Sequence, residues 1–334
     1  MPVSDEALGL VSRLAVQGFS RVTGPRLSIL IFHRVLATPD RLFPAEMDAA
    51  RFDRLMALVA RIFTVLPLAD AVQSLRQGNL PGNALSITFD DGYADNFDIA
   101  LPILKRHGLP ACFFIATGFL DGGRMFNDSV IECVRASPLQ RLDLAEFGLG
   151  QVDLQTPAQR TQAIGRILPL IKYLGQDQRQ AALLRLQRQC RPPGLPDNLM
   201  MSRAQVRALH AAGMEIGAHT VSHPILELAD DAQAEAEIRD SRSLLESLLD
   251  RPVSLFAYPN GQPGRDYSHR HAAIVKRQGF AAAVSTAAGV ARPGDDCYQL
   301  PRFTPWDLSP QPWIGRLVAG RLGRSFDISQ PAAA

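Results

Sequence analysis

The sequence predicts an α/β fold, a (β/α) barrel of parallel strands carrying a helical insertion, on three observations. The apolar runs Ala84–Ile87 and Met214–Ala218 read as short buried strands, and each leads straight into a cluster of ionisable residues. Strand-like and helix-like segments alternate in both halves of the chain, the pattern of parallel βαβ units. Between the halves, residues 125–199 lose that alternation and keep only helical periodicity.

Taken in order, Leu8, Val11, Leu14, Ala15, Phe19 and Val22 fall at helical spacing, so residues 1–24 are expected to form an N-terminal helix outside the barrel. The barrel itself is expected over residues 25–310, followed by a C-terminal helix and tail at 311–334. Leu27–Phe32 is its first strand, ending on His33 and Arg34. Phe52, Leu55, Met56, Val59 and Ile62 mark a helix, Phe63–Leu66 a short strand, and Leu68–Gln77 a helix with Gly78 as its C-cap. Beyond the strand at 84–87, Asn96–His107 is predicted as a helix closed by Gly108, and Ala111–Thr117 as a strand. In the second half the order is helix 202–212, strand 214–218, helix 231–249, strand 253–258, helix 268–278 and strand 280–285. Within the insertion, Gln176–Gln189 is the clearest helix, and no strand is expected there.

A chain of 334 residues can bury a large core, and 46% hydrophobic with 20% charged residues is ordinary for a globular protein. A formal charge of +2 with no basic stripe interleaved with aromatics argues against a nucleic-acid partner. Cys112, Cys133, Cys190 and Cys297 are widely spaced without a CxxC pair, which disfavours a disulfide framework or a cysteine zinc site. The acidic start and the lack of a long early apolar run give no signal peptide, so the expected home is the cytoplasm. Trp313, Ile314, Leu317, Val318, Leu322 and Phe326 share a helical face, with Arg316, Arg321 and Arg324 nearby. Two readings stay open for that stretch: peripheral contact with an anionic membrane surface, or packing on the barrel.

The chemistry lies in Thr88-Phe89-Asp90-Asp91-Gly92 and His219-Thr220-Val221-Ser222-His223. Both motifs follow strands, and in a parallel barrel the C-terminal strand ends share one face, where catalytic residues collect. One carboxylate and two imidazoles make a three-ligand metal site with an open position, leaving the second carboxylate to act as a base. Alone, the histidine pair is more readily a solvated turn; Pro224 biases His223 away from helix, which puts the pair on a loop. Alone, Asp91-Gly92 is an ordinary turn. Two such motifs at the ends of buried strands favour the metal site.

The combination resembles the polysaccharide deacetylase family, the NodB-homology carbohydrate esterases. The two motifs look like that family's first and second, and Phe256-Ala257-Tyr258-Pro259-Asn260-Gly261 resembles its third in the FAYPxG form. The match covers roughly residues 25–120 and 200–305. The resemblance implies a distorted (β/α) barrel of the polysaccharide deacetylase type, a divalent metal, usually zinc, and hydrolysis of N-acetyl groups on an amino-sugar glycan or glycolipid precursor. By position it implies Asp91, His219 and His223 as metal ligands and Asp90 as general base. It also implies Tyr258, Pro259 and Asn260 at the substrate, with a backbone N–H near Tyr258 sharing the oxyanion.

Two departures follow. Many relatives place an arginine in the third motif to orient the catalytic aspartate, and Ala257 and its neighbours supply none; Arg302 is expected to take that role. Many also carry a late histidine as general acid, where this chain reads Gln299-Leu300-Pro301-Arg302-Phe303. His33, ending the first strand in an Ile31-Phe32-His33-Arg34-Val35 context that resembles the YHRV signature of this branch, is the expected proton donor. Its alternative is a histidine satisfied by a hydrogen bond at the barrel mouth. His269 and His271, at a helix start, are expected to be solvated. A barrel that binds carbohydrate without catalysis, and an amidohydrolase acting on a non-sugar amide, are the competing functions.

Overall fold

Strand after strand in this chain is apolar on both faces, which suits a parallel sheet covered by helices outside and packed within. The computed structural model describes residues 24–305 and 315–317. Its first strand is β1 (Ser28–Phe32), followed by α1 (Ala49–Ile62), β2 (Thr64–Val65), α2 (Leu68–Gln77) and β3 (Ala84–Phe89). A π-helical turn at Asn96–Ala100 runs into α3 (Leu101–Arg106), and β4 (Cys112–Ile115) follows. The insertion holds α4 (Phe126–Ala136), β5 (Arg141–Asp143), β6 (Gln151–Asp153), α5 (Pro157–Lys172) and α6 (Gln176–Cys190). The barrel resumes with α7 (Arg203–Ala211), β7 (Glu215–Ala218), α8 (Asp231–Leu249), β8 (Leu255–Ala257), α9 (His269–Arg277), β9 (Ala282–Ala288) and β10 (Leu300–Arg302).

The strands pair in parallel in the order β1-β3-β4-β7-β8-β9-β10, with β2 also on β3. The ring closes where Phe303, just past β10, exchanges backbone bonds with Ile29 and Ile31 of β1 at 2.7 and 3.1 Å. Successive side chains alternate between two apolar layers, as the pleat requires. Leu30, Phe32, Leu85, Ile87, Phe89, Phe113, Ile115 and Phe256 face the helices. Ile29, Cys112, Phe114, Leu255, Ala257 and Val284 belong to a second cluster. Helix α2 packs on this second cluster, and Glu215, at the start of β7, accepts the N–H groups of Leu68 and Ala69 at its first turn. A carboxylate there satisfies orphan donors and complements the helix dipole.

The insertion has its own core, including Val130, Ile164, Ile167, Leu186 and Cys190. It is tied to the barrel through Leu42, whose carbonyl accepts from Thr161 at 2.8 Å, and through the Arg135–Asp40 ion pair at 2.7 Å. Three sequence expectations need correction. The insertion contains the antiparallel β5–β6 hairpin, whose three-residue strands are too short to show a period. The helix expected over Asn96–His107 is π-helical in its first turn, where Pro102 cannot supply an N–H to the regular ladder. Strand β10, with Pro301 at its centre, was not expected at all.

The N-terminal helix expected over 1–24 and most of the C-terminal helix expected over 311–326 lie outside the described residues. Of the latter, residues 315–317 are helical, Leu317 is buried in the helix-facing core, and the Arg316 guanidinium sits 5.6 Å from the Phe303 ring. That short stretch packs on the barrel. Among the described residues no helix is long and apolar enough to cross a membrane.

Candidate metal centre

The C-terminal ends of β1, β3, β7, β8 and β10 deliver every side chain of the site. Beyond Phe89 the backbone turns sharply, with Asp91 at φ 74° and Gly92 at φ 90°. Beyond Ala218 it turns again, with Thr220 at φ 65° and His223 at φ 53°. Seven described non-glycine residues have positive φ, and Asp91, Thr220, His223 and Asn260 are four of them. Such strain collects where a site holds side chains in a required direction.

The direction is convergent. The Nε2 atoms of His219 and His223 each lie 3.3 Å from Asp91 Oδ1, and the three groups offer ligand atoms within 4.8 Å of one another. All three are buried. His219 donates its Nδ1–H to the Ala257 carbonyl at 2.7 Å, which orients the ring and leaves Nε2 as the atom that faces Asp91. Asp91 Oδ1 and His223 Nδ1 have no hydrogen-bond partner among the described residues. Two imidazoles and a carboxylate, buried together with a shared focus, fit a divalent cation, which would take the place of any proton between them.

Burial opposes charge on each of these groups, and their neighbours decide the outcome. Despite burial, the two imidazoles hold Asp91 well below the usual carboxylate range. Burial would lower His219, but Asp91 and Asp90 outweigh it and raise the group. In His223 burial dominates and the pKa falls to about 3, so this imidazole is a free base and a ready ligand.

Asp90 is held apart from that focus. Arg302 meets it with a two-pronged contact, Nη1 to Oδ1 and Nη2 to Oδ2, both at 2.7 Å. The same guanidinium donates to Ser285 O at 2.7 Å and Thr88 Oγ1 at 3.2 Å, and Arg302 is 1% exposed. Burial alone would raise the Asp90 carboxyl; Arg302 and His219 overcome it and lower the pKa. The site therefore contains one carboxylate turned to the imidazoles and one kept ionised by a buried arginine.

Other sequence-selected residues fall differently. His33 is exposed just past β1, where a proton on its ring would favour the ionised forms of Asp90 and Asp91. Tyr258, expected at the substrate, is turned into the core: its ring stacks on Tyr267 with centroids 3.7 Å apart, and its hydroxyl donates to Tyr298 O at 2.9 Å. The strand alternation that points its neighbour Ala257 inward sends Tyr258 outward. Its N–H is paired with Val284 O at 3.3 Å, so it is not an open backbone donor. Pro259 is buried, while Asn260 keeps partial exposure and accepts from Thr286 Oγ1 at 2.7 Å. His271, expected to be solvated, is buried because its Nδ1 accepts the Ser268 N–H at 3.0 Å and closes a capping box; His269 is exposed.

Two holding groups carried no sequence signal. Glu237 of α8 accepts from the N–H groups of Val221 and Ser222 at 2.8 Å each and from Ser222 Oγ at 2.6 Å, pinning the histidine loop. From the other side, the Thr117 and Gly118 N–H groups donate to the Thr220 and Val221 carbonyls at 3.1 and 2.8 Å.

Comparison with known proteins agrees with this architecture. The family model described as "Polysaccharide deacetylase" matches residues 77–140 and 175–283. The chain belongs to that family. The residues skipped, 141–174, fall inside the insertion. Membership makes the chain a hydrolytic deacetylase with an acetylated carbohydrate substrate. YxkH of Bacillus subtilis (strain 168) is 21% identical over 283 residues, covering 83% of this chain and 70% of its own. Among solved structures, the Streptococcus pyogenes deacetylase PplD in complex with acetate superposes with a TM-score of 0.59 at 19% identity, covering 90% of this chain and 99% of PplD. IcaB from Ammonifex degensii gives 0.56 at 19% identity, covering 90% and 98%. At such identities these two likenesses speak to the fold.

Proposed function

We propose that this deacetylase is metal-dependent and removes N-acetyl groups from an amino-sugar glycan or a glycolipid precursor. The observation that carries the reading is the pairing of two differently treated carboxylates. Asp91 shares a focus with two imidazole Nε2 atoms, while Asp90 is gripped by Arg302. Asp91, His219 and His223 would hold the ion, expected to be zinc. When bound, such an ion acidifies water and polarises an acyl oxygen.

The remaining chemistry belongs to the chain. Asp90, ionised through Arg302, accepts a proton from the attacking water. The water oxygen bonds to the acetamide carbonyl carbon, the C–N bond breaks with its electrons on nitrogen, and the amine gains a proton. His33, exposed at the rim, is assigned as the donor of that proton. Acetate and a free amino sugar leave. The fixed geometry of Asp90 matters because a base must meet its proton within hydrogen-bond reach, and Arg302 removes its freedom to turn.

Acetate release from an N-acetylglucosamine oligomer tests the reading. Turnover that stops on chelation and returns with added zinc supports it. Turnover undiminished after complete chelation contradicts metal dependence, and release from a simple aliphatic amide but no N-acetylated sugar contradicts the substrate class.

A further inference from the structure

Both ends of the helical insertion grip the segment that directly follows the ligand Asp91. On the exit side, the Met201 N–H donates to Gly92 O at 2.9 Å, Ala94 N–H donates to Leu199 O at 2.8 Å, and Tyr93 bridges Met200. On the entry side, the first turn of α4 meets Tyr93. The Tyr93 hydroxyl donates to Asp128 Oδ1 at 3.2 Å, and Asn127 Nδ2 lies 3.4 Å from the same hydroxyl. Arg34, paired with Asp95 at 2.8 Å, covers the Tyr93 ring at 4.7 Å, and Met125, Met200 and Phe119 enclose it.

Asp128 is a costly residue to keep here. It is 4% exposed, and neither its Oδ2 nor Asn127 Oδ1 has a hydrogen-bond partner among the described residues. A buried carboxyl lacking a bonded cation is destabilising, and such a cost is kept where the position serves something else.

We infer that Asp128 is a positioning residue for the metal centre: through the Tyr93 hydroxyl it ties the insertion to the loop that presents Asp91. The contact lies two residues from the ligand, on a backbone whose turn at Asp91 and Gly92 must be held against strain. With both insertion ends fastened to Gly92–Ala94, the orientation of Asp91 depends on the insertion being seated. Burial pushes the Asp128 carboxyl up to about 7, against the pull of Arg34. In either protonation state one oxygen remains to accept the Tyr93 hydrogen bond, so the tie needs an acceptor and not a charge.

The proposal rests on the metal-dependent reading, and zinc affinity, measured by competition with a chromophoric chelator alongside thermal melting, separates the two. Asp128→Ala and Tyr93→Phe should each weaken zinc binding about 10-fold or more, the range for groups that orient ligands. The double variant should be no weaker than Asp128→Ala. Asp128→Asn, whose amide oxygen still accepts, should stay within about threefold of wild type. Val130→Ala, which opens the insertion core on the same helix, should lower the melting temperature and leave zinc affinity in place. Wild-type affinity in Asp128→Ala, a loss in Asp128→Asn equal to that in Asp128→Ala, or an equal loss in Val130→Ala would each overturn the inference. A wild-type protein that binds no zinc would instead fail the proposed function itself.

Discussion

Replacing Arg302 with methionine should destabilise the protein by an amount that depends on pH, and the dependence is the informative part. Arg302 and Asp90 have side-chain exposures of 0% and 2%, so neither charge has water to fall back on. Removing one partner of a buried pair costs about 3–5 kcal/mol, because the other charge is left uncompensated. The protein can escape part of that cost by protonating Asp90. In the wild type, the lowered Asp90 pKa contributes stability above the unfolded carboxylate pKa of about 3.9, lost as pH falls through the folded value. In Arg302→Met the folded pKa moves above the unfolded one, so the native state binds the extra proton and stability falls as pH rises. The gap between the two proteins therefore widens from pH 4.5 to pH 7.5. With about 1.36 kcal/mol per pH unit for one proton, a widening of about 1–3 kcal/mol is expected. At the acid end, where the variant can protonate Asp90, the remaining cost is that of the guanidinium's lost bonds to Asp90, Ser285 and Thr88. Urea unfolding in EDTA at both pH values measures this without a contribution from metal binding to the native state. A gap under about 1 kcal/mol at both pH values, or one that narrows with rising pH, would refute the claim that Arg302 keeps Asp90 ionised.

Two further substitutions probe the ends of the site. His33→Ala should keep its metal and lose the alkaline limb of the pH–rate profile, since an exposed group at the rim can be removed without disturbing the core; an unchanged profile would take the proton-donor role from His33. Gly118→Ala should weaken metal binding, because its Cβ would stand 2.7 Å from the Val221 carbonyl oxygen and push the histidine loop. Equal metal affinity in that variant would show that the loop shifts at no cost to His219 and His223.

The strands that build the barrel were legible because both faces are buried, so β1, β3 and β4 read as largely apolar runs, broken only by Ser28, Ser86 and Thr88. The same signal fails for β10, whose three residues include Pro301 and the buried charge of Arg302. It fails too for β5 and β6, where one buried residue in three leaves no pattern. Within the site, the aspartate and histidine motifs stood out because polar residues directly followed buried strands. Tyr258 was misread because a motif names neighbours without saying which way each points, and the pleat sends it into the core. His271 was misread because a histidine can close a capping box as an acceptor. Glu237 had no signal: on an amphipathic helix a glutamate clamp looks like any solvated glutamate.

In the proposed reaction Asp90 and Asp91 do different work despite their adjacency. Metal content by elemental analysis, taken with acetate release, for Asp90→Asn and Asp91→Asn tests it most directly. Asp90→Asn should retain most of its metal and lose rate about 10²–10⁴-fold, the span for a general base. Asp91→Asn should lose both metal and turnover. Full metal in Asp91→Asn together with an empty Asp90→Asn would exchange the two roles.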